Sequence, residues 1–165
     1  VTLPKSITSN EIPHIAHLSD EQNQALSMVL TNPLSYVWGP PGTGKTQAVL
    51  FEALLYYIQQ GKRVAVVATT NNALEQVLRT LIKQFDALGL ERKNILRLGT
   101  PTLRYMNEFP QTCDPSILQQ KNATNLFNFQ DTLKTRLKNA FVVGVTLDGF
   151  IKRYENLELK FHHIF

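Results

Sequence analysis

Cysteine is nearly absent from this sequence of 165 residues. Cys113 is the single cysteine, so no disulfide can form within the chain. A protein without disulfides suits a reducing compartment, which predicts an intracellular location, the cytoplasm first and the nucleus as the alternative. Neither a histidine nor another base lies near Cys113 in the sequence, which argues against a reactive thiol.

Long apolar runs and a signal peptide are also missing, so no membrane partner is predicted. The composition is 43% apolar and 18% charged, which is typical of a globular domain rather than a disordered chain. Residues 1–17 contain Pro4 and Pro13 and show no hydrophobic period, which predicts an extended linker before a domain at 18–165.

Positive charge is scarce in the first part of the chain. Residues 1–60 carry two basic and four acidic side chains, a net charge of −2. Residues 61–165 carry fifteen basic and nine acidic side chains, a net charge of +6. A basic excess of this size fits a surface that meets a phosphate backbone, and it fits an ordinary solvated surface nearly as well.

The most informative segment is a glycine-rich run that satisfies G-x-x-x-x-G-K-[ST]. It consists of Gly39, Pro40, Pro41, Gly42, Thr43, Gly44, Lys45 and Thr46. Such a loop turns successive backbone N–H groups inward, and the following helix adds the positive end of its dipole. Lys45 is expected to reach the β- and γ-phosphates and the Thr46 hydroxyl to bind Mg²⁺. The sequence therefore predicts a nucleoside triphosphate site.

Hydrophobic patterning predicts an α/β fold around this loop. Apolar strands are predicted at 34–38, 63–68, 94–98, 141–146 and 161–165, and helices at 20–30, 45–60 and 72–88. Strands that alternate with helices predict a doubly wound parallel sheet, and uniformly apolar strands predict helices on both of its faces. Residues 100–139 interrupt the alternation and predict a mostly helical insertion whose basic face is either solvated or in contact with nucleic acid.

Three further segments give the chain a family resemblance. They are Leu18-x-x-x-Gln22, residues 68–76 after the second predicted strand, and residues 139–147 around the fourth. In this order with the glycine-rich loop, the chain resembles superfamily 1 helicases, most closely the Upf-type branch. The resemblance implies a P-loop NTPase domain of RecA-like fold, ATP and Mg²⁺ as cofactors, single-stranded DNA or RNA as partner, and a second RecA-like domain.

The resemblance also implies roles for particular residues. Gln22 would read the adenine edge, although it also suits the third position of a capping box that begins at Ser19. Thr69, Thr70 and Asn71 would contact the nucleic-acid strand, and their alternative is a helix N-cap by Thr70 or Asn71. Thr146, at the end of the fourth predicted strand, would contact the strand as well.

The acids that organise Mg²⁺ in such ATPases have no clear counterpart here. The family places Asp-Glu directly after an apolar strand like 161–165, so we expect a first RecA-like domain truncated at its C-terminus and without turnover of its own. The alternative is a smaller regulatory ATPase without motor activity, in which Asp148 organises the metal. A GTPase is disfavoured because no Asn-Lys-x-Asp run is present. His162 and His163 are adjacent, which disfavours a shared metal site in a strand.

Overall fold

The structure is a computed structural model that describes residues 12–37, 45–120, 132–155 and 160–165. The side chains of Lys45, Thr46, Gln119 and Gln120 also lie outside that description. The chain divides into two compact units, residues 1–60 and residues 61–165.

Apart from the strand predicted at 34–38, the described elements follow the predicted order of helices and strands. The helices are α1 (Asp20–Thr31), α2 (Lys45–Gln59), α3 (Asn71–Ala87), α4 (Leu103–Glu108), α5 (Pro115–Gln120), α6 (Leu133–Asn139) and α7 (Leu147–Arg153). The strands are β1 (Val64–Ala68), β2 (Ile95–Arg97), β3 (Val142–Thr146) and β4 (His163–Ile164). None of the described helices is long and apolar enough to cross a membrane.

The first unit is a pair of packed helices. A complete capping box starts α1: the backbone N–H of Ser19 donates to Gln22 Oε1 at 2.9 Å, and the Gln22 N–H donates to Ser19 Oγ at 3.3 Å. This satisfies backbone donors that a helix otherwise leaves open at its start. Helix α1 packs against α2. His17 Nε2 lies 3.0 Å from Glu52 Oε1 on α2, which ties the segment before α1 to α2.

The second unit is built on a parallel sheet in the order β2-β3-β1-β4. Strand β3 is central, and its Val142 lies opposite Val64 of β1 and Ile95 of β2. Strand β4 pairs with the start of β1, with Val64 opposite His163. All four strands run in one direction, so their carboxyl ends lie at one edge of the sheet.

Both faces of this sheet are covered. On one face α3 packs so closely that a methyl group built on Gly144 would lie 2.8 Å from Leu78 Cδ1. On the other face Val143 and Val145 form a buried cluster with Leu137 of α6, against which Phe150 of α7 packs. Burial on both faces explains why β1 and β3 are apolar at nearly every position.

The predicted α/β fold and its parallel sheet are confirmed, and residues 100–120 and 132–139 of the predicted insertion are mostly helical. Residues 121–131 of that prediction lie outside the described residues. The predicted strand at 34–38 is wrong for residues 34–37, and Trp38 lies outside the described residues. Leu34 and Tyr36 are 88% and 85% exposed, and Ser35 Oγ bonds to the Met28 carbonyl of α1 instead. A strand needs a ladder partner, which residues 34–37 do not find within the described chain. The boundary at 17/18 stays a prediction.

Candidate nucleic-acid interface

The register of the sheet brings two of the predicted contact segments together. Ala68, the last residue of β1, lies opposite Thr146, the last residue of β3. Residues 69–71 therefore leave the sheet beside Thr146, at the carboxyl edge where open parallel sheets bind their ligands. On the other side of β3, Gly144 lies opposite Arg97, so residues 98–100 leave the same edge.

Two of the predicted contact residues are helix N-caps. Thr70 Oγ1 accepts from the Ala73 N–H at 3.2 Å at the start of α3, and Thr146 Oγ1 accepts from the Gly149 N–H at 3.2 Å at the start of α7. The N-cap alternative is thus confirmed for Thr70. A hydroxyl that accepts one N–H still has its own proton to donate, so capping leaves a strand contact open to both residues.

Arg97 links the segments after β1 and β2. Its side chain is 1% exposed, and its Nη2 donates to Asn71 Oδ1 at 2.6 Å, while Nη1 donates to the Leu98 carbonyl. Burial lowers the pKa of the Arg97 guanidinium because it penalises the charged form. The contact occupies the oxygen of the Asn71 side chain, whose amide N–H groups are then the part that could meet a phosphate.

A buried carboxylate lies near this guanidinium but is engaged elsewhere. Glu75 of α3 is 4% exposed, and its two oxygens accept from the Thr102 backbone N–H at 2.8 Å and from Thr102 Oγ1 at 2.6 Å. Glu75 acts on Arg97 through space, since no carboxylate lies within 4 Å of the Arg97 guanidinium among the described residues. The hydrogen bonds between Glu75 and Thr102 fix residues 98–102 against the first turns of α3.

A second guanidinium approaches the same edge from α7. A methyl group built at Gly99, where φ is 89°, would lie 3.5 Å from Arg97 Nη1 and 3.8 Å from Arg153 Cζ and Nη1. Arg153 Nη1 also donates to the Gly149 carbonyl at 3.3 Å. Sequence reasoning missed both arginines. Arg97 could have been singled out from the sequence, because it is a charged residue within the apolar run 95–98. Nothing in the sequence places Arg153 beside Gly99.

The described residues include only part of the predicted nucleotide-binding site. Residues 39–44 and the side chains of Lys45 and Thr46 lie outside the described residues. The backbone of α2 spans Lys45–Gln59, so a helix follows the loop as predicted, and its first turn has no acidic residue to oppose a phosphate. Gln22 lies in the capping box, where its carbonyl oxygen accepts one N–H and keeps a second lone pair. Adenine reading by Gln22 stays a prediction.

Asp148 does not end a strand. It lies in the first turn of α7, two residues beyond the end of β3, with its side chain 75% exposed and its Oδ2 2.8 Å from Lys152 Nζ. Thr146 holds the strand-end position that a metal-organising aspartate would take. An exposed carboxylate paired with lysine is an ordinary surface ion pair.

The remaining candidate groups serve the fold. Burial raises the pKa of the Cys113 thiol to about 12, which keeps it protonated and unreactive at neutral pH. His162 Nδ1 accepts the Arg63 backbone N–H at 2.9 Å. The Arg63 guanidinium lies over the Phe161 ring at 5.6 Å and donates to the Ala140 carbonyl at 3.2 Å. These contacts fix the segment 160–165 beside β1.

Comparison with known proteins places these features in a family. Residues 17–149 match the AAA domain family. The chain is 39% identical over 83 residues to the ATP-dependent helicase NAM7 of Saccharomyces cerevisiae, covering 49% of this chain and 8% of that protein. It is 32% identical over 140 residues to NFX1-type zinc finger-containing protein 1 of Mus musculus, covering 78% and 6%. It is 31% identical over 120 residues to DNA-binding protein SMUBP-2 of Rattus norvegicus, covering 70% and 11%.

Proposed function

Because the chain belongs to the AAA domain family and is related to the Upf-type branch of superfamily 1 helicases, we propose that it is part of an ATP-driven helicase or translocase acting on single-stranded DNA or RNA. The chain spans about a tenth or less of the relatives named above. The motor activity therefore belongs to a longer protein, in which a second RecA-like domain would complete the ATP cleft.

The nucleotide half of the proposal assigns ATP and Mg²⁺ to the glycine-rich loop. Gly39, Gly42 and Gly44 would let backbone N–H groups surround the phosphates, with Lys45 as the fixed cation and Thr46 as a Mg²⁺ ligand. The start of α2 directly after the loop supports this, because it aims the first-turn amides and the dipole at the loop. The metal would offset charge on the phosphate oxygens. Gln22 would read the adenine.

One observation carries the strand-binding half: the register that sets Ala68 opposite Thr146. It gathers Thr69, Thr70, Asn71 and Thr146 at one edge of a unit whose net charge is +6. Hydroxyl and amide groups can donate to phosphate oxygens in any nucleotide sequence, as a translocase requires. The backbone of the single strand is the part that these residues would grip.

Residues 1–165 alone are proposed to bind nucleotide with negligible turnover. Asp148, the first acid after β3 in the sequence, is exposed and paired with Lys152. Hydrolysis needs a carboxylate that organises Mg²⁺ and a second that activates water. Robust hydrolysis by these residues alone would contradict this and would return Asp148 to the role of metal-organising acid.

The test is the ATPase rate of the full-length protein with and without a single-stranded oligonucleotide. We expect the strand to raise the rate and Thr69→Val to weaken that stimulation, because the variant loses a hydroxyl donor at nearly constant volume. Thr80→Val is the matched control, since the Thr80 hydroxyl bonds to the Gln76 carbonyl within α3. An ATPase rate indifferent to added single strands would refute the proposed function.

A further inference from the structure

The carboxyl edge of the sheet carries two guanidinium groups that no carboxylate contacts directly among the described residues. Arg97 and Arg153 both lie against Gly99, at 3.5 Å and 3.8 Å from the position of a methyl group there. No ion pair involves either arginine in the part of the chain that the structure describes. Burial is the main cause of the lowered pKa of Arg97, and repulsion by the Arg153 charge is a smaller one.

Arg97 carries its positive charge in a buried position. Its side chain is 1% exposed, and its Nε is one of the few buried side-chain atoms without a hydrogen-bond partner in the described ranges. A buried charge is costly unless a partner of opposite sign offsets it. The buried acid Glu75 makes no direct contact with Arg97, because both of its oxygens accept hydrogen bonds from Thr102. Glu75 offsets part of the Arg97 charge through space, and an anion bound at this edge would offset more of the charge of the two arginines.

The Arg153 guanidinium lies close to Thr146, one of the residues that are predicted to contact the strand. A methyl group built on Gly149 would lie 2.9 Å from Thr146 Oγ1 and 3.1 Å from Arg153 Nη1. The guanidinium therefore folds back along α7 over Gly149 and lies near the Thr146 hydroxyl. Glycine at position 149 leaves both polar groups the room to approach the same point.

We infer that Arg153 binds a phosphate of the bound strand between Gly99 and Thr146, and that Arg97 acts as a positioning residue behind it. Arg153 supplies a forked donor that suits phosphate oxygens. Arg97 stays buried, orients the Asn71 amide and holds the Leu98 carbonyl. The inference rests on the proposed strand binding and adds a cation to hydroxyl and amide contacts that carry no charge of their own.

The test is the affinity of the full-length protein for a single-stranded oligonucleotide, measured over a range of salt concentrations. Arg153→Gln is expected to lower the affinity about tenfold, as for a lost charge-assisted hydrogen bond. The slope of log affinity against log salt should become shallower by about 0.7, the value for one released phosphate contact on a single strand.

Lys152→Gln is the matched control. It removes the same charge one residue away, where Lys152 is exposed and paired with Asp148, so we expect a loss of about twofold or less. Gly149→Ala keeps every charge but places a methyl group against Thr146 and Arg153, and it should weaken binding as well. Arg97→Lys should lower oligonucleotide affinity while leaving nucleotide affinity unchanged, a difference that general unfolding would not produce.

The outcomes separate the inference from the function on which it rests. Equal losses in Arg153→Gln and Lys152→Gln, with strong binding by the unaltered protein, would overturn the phosphate contact and leave strand binding intact. No binding of single strands by the unaltered protein even at low salt would overturn both.

Discussion

The two units of the chain assemble their phosphate-binding groups in different ways. In residues 1–60 the residues that are predicted to bind phosphate form one contiguous run, from Gly39 to Thr46, that leads into a single helix. In residues 61–165 the predicted and inferred ligands come from two separate segments, which follow β1 and β3 and which the sheet brings to one edge. A contiguous motif depends on local backbone geometry, whereas an assembled edge depends on strand register. The two sites should therefore respond differently to the same kind of change.

The largest expected effect is at the contiguous site. Lys45→Ala should lower nucleotide affinity at least about tenfold, because a hydrogen bond to a charged group contributes roughly 1.5–3 kcal/mol. Calorimetry with ADP and Mg²⁺ measures this, and Lys62→Ala, an exposed lysine after α2, is the control. Oligonucleotide affinity without nucleotide should not change. A Lys45→Ala protein that binds nucleotide normally would remove the glycine-rich loop from the account.

A change in the core of the sheet should affect the assembled edge. Gly144→Ala places a methyl group 2.8 Å from Leu78 Cδ1, which should lower the free energy of unfolding by about 1–3 kcal/mol. The same shift would disturb the register on which the edge depends. Urea denaturation measures the loss, and the double variant Gly144→Ala/Leu78→Ala should lose less than the sum of the two single losses. Strict additivity would show that the two side chains do not compete for this space.

The N-cap of α3 separates a structural role from a binding role at the same residue. Thr70→Asp retains a capping side chain, so thermal stability should stay within a few tenths of a kcal/mol, whereas Thr70→Ala should lose about 1 kcal/mol. The added negative charge should nevertheless weaken oligonucleotide binding several-fold. If Thr70→Asp binds single strands as well as the unaltered protein, residue 70 serves only as a cap.

Local signals made much of the fold and part of the site predictable. The capping box at Ser19 and Gln22 is set by residues three apart, and the apolar runs of β1 and β3 follow from burial on both faces. The juxtaposition of Arg97 and Arg153 was not predictable, because it depends on which strands are neighbours and in what register. The strand expected at 34–38 failed for a related reason: apolar residues favour a strand only where another strand is available to pair with them.

The smallest expected effect concerns the segment 160–165. Burial, helped by His162 and Lys62, lowers the pKa of His163 below its usual 6.5. The unfolded chain then binds more protons than the folded one, so the contribution to stability is complete above pH 6.5 and is lost as the pH falls through the folded pKa. Urea midpoints at pH 7.5 and 5.5 should therefore differ less in His163→Asn than in the unaltered protein.

The central claim is that the carboxyl edge of the sheet grips the backbone of a single strand. Titration of the full-length protein with a single-stranded homopolymer at about 50 and 200 mM salt tests it directly. We predict affinity at low salt and a log–log slope at least as steep as about −0.7, the share of the one phosphate that Arg153 neutralises. Affinity that does not change with salt, or no affinity at the lower concentration, would contradict it.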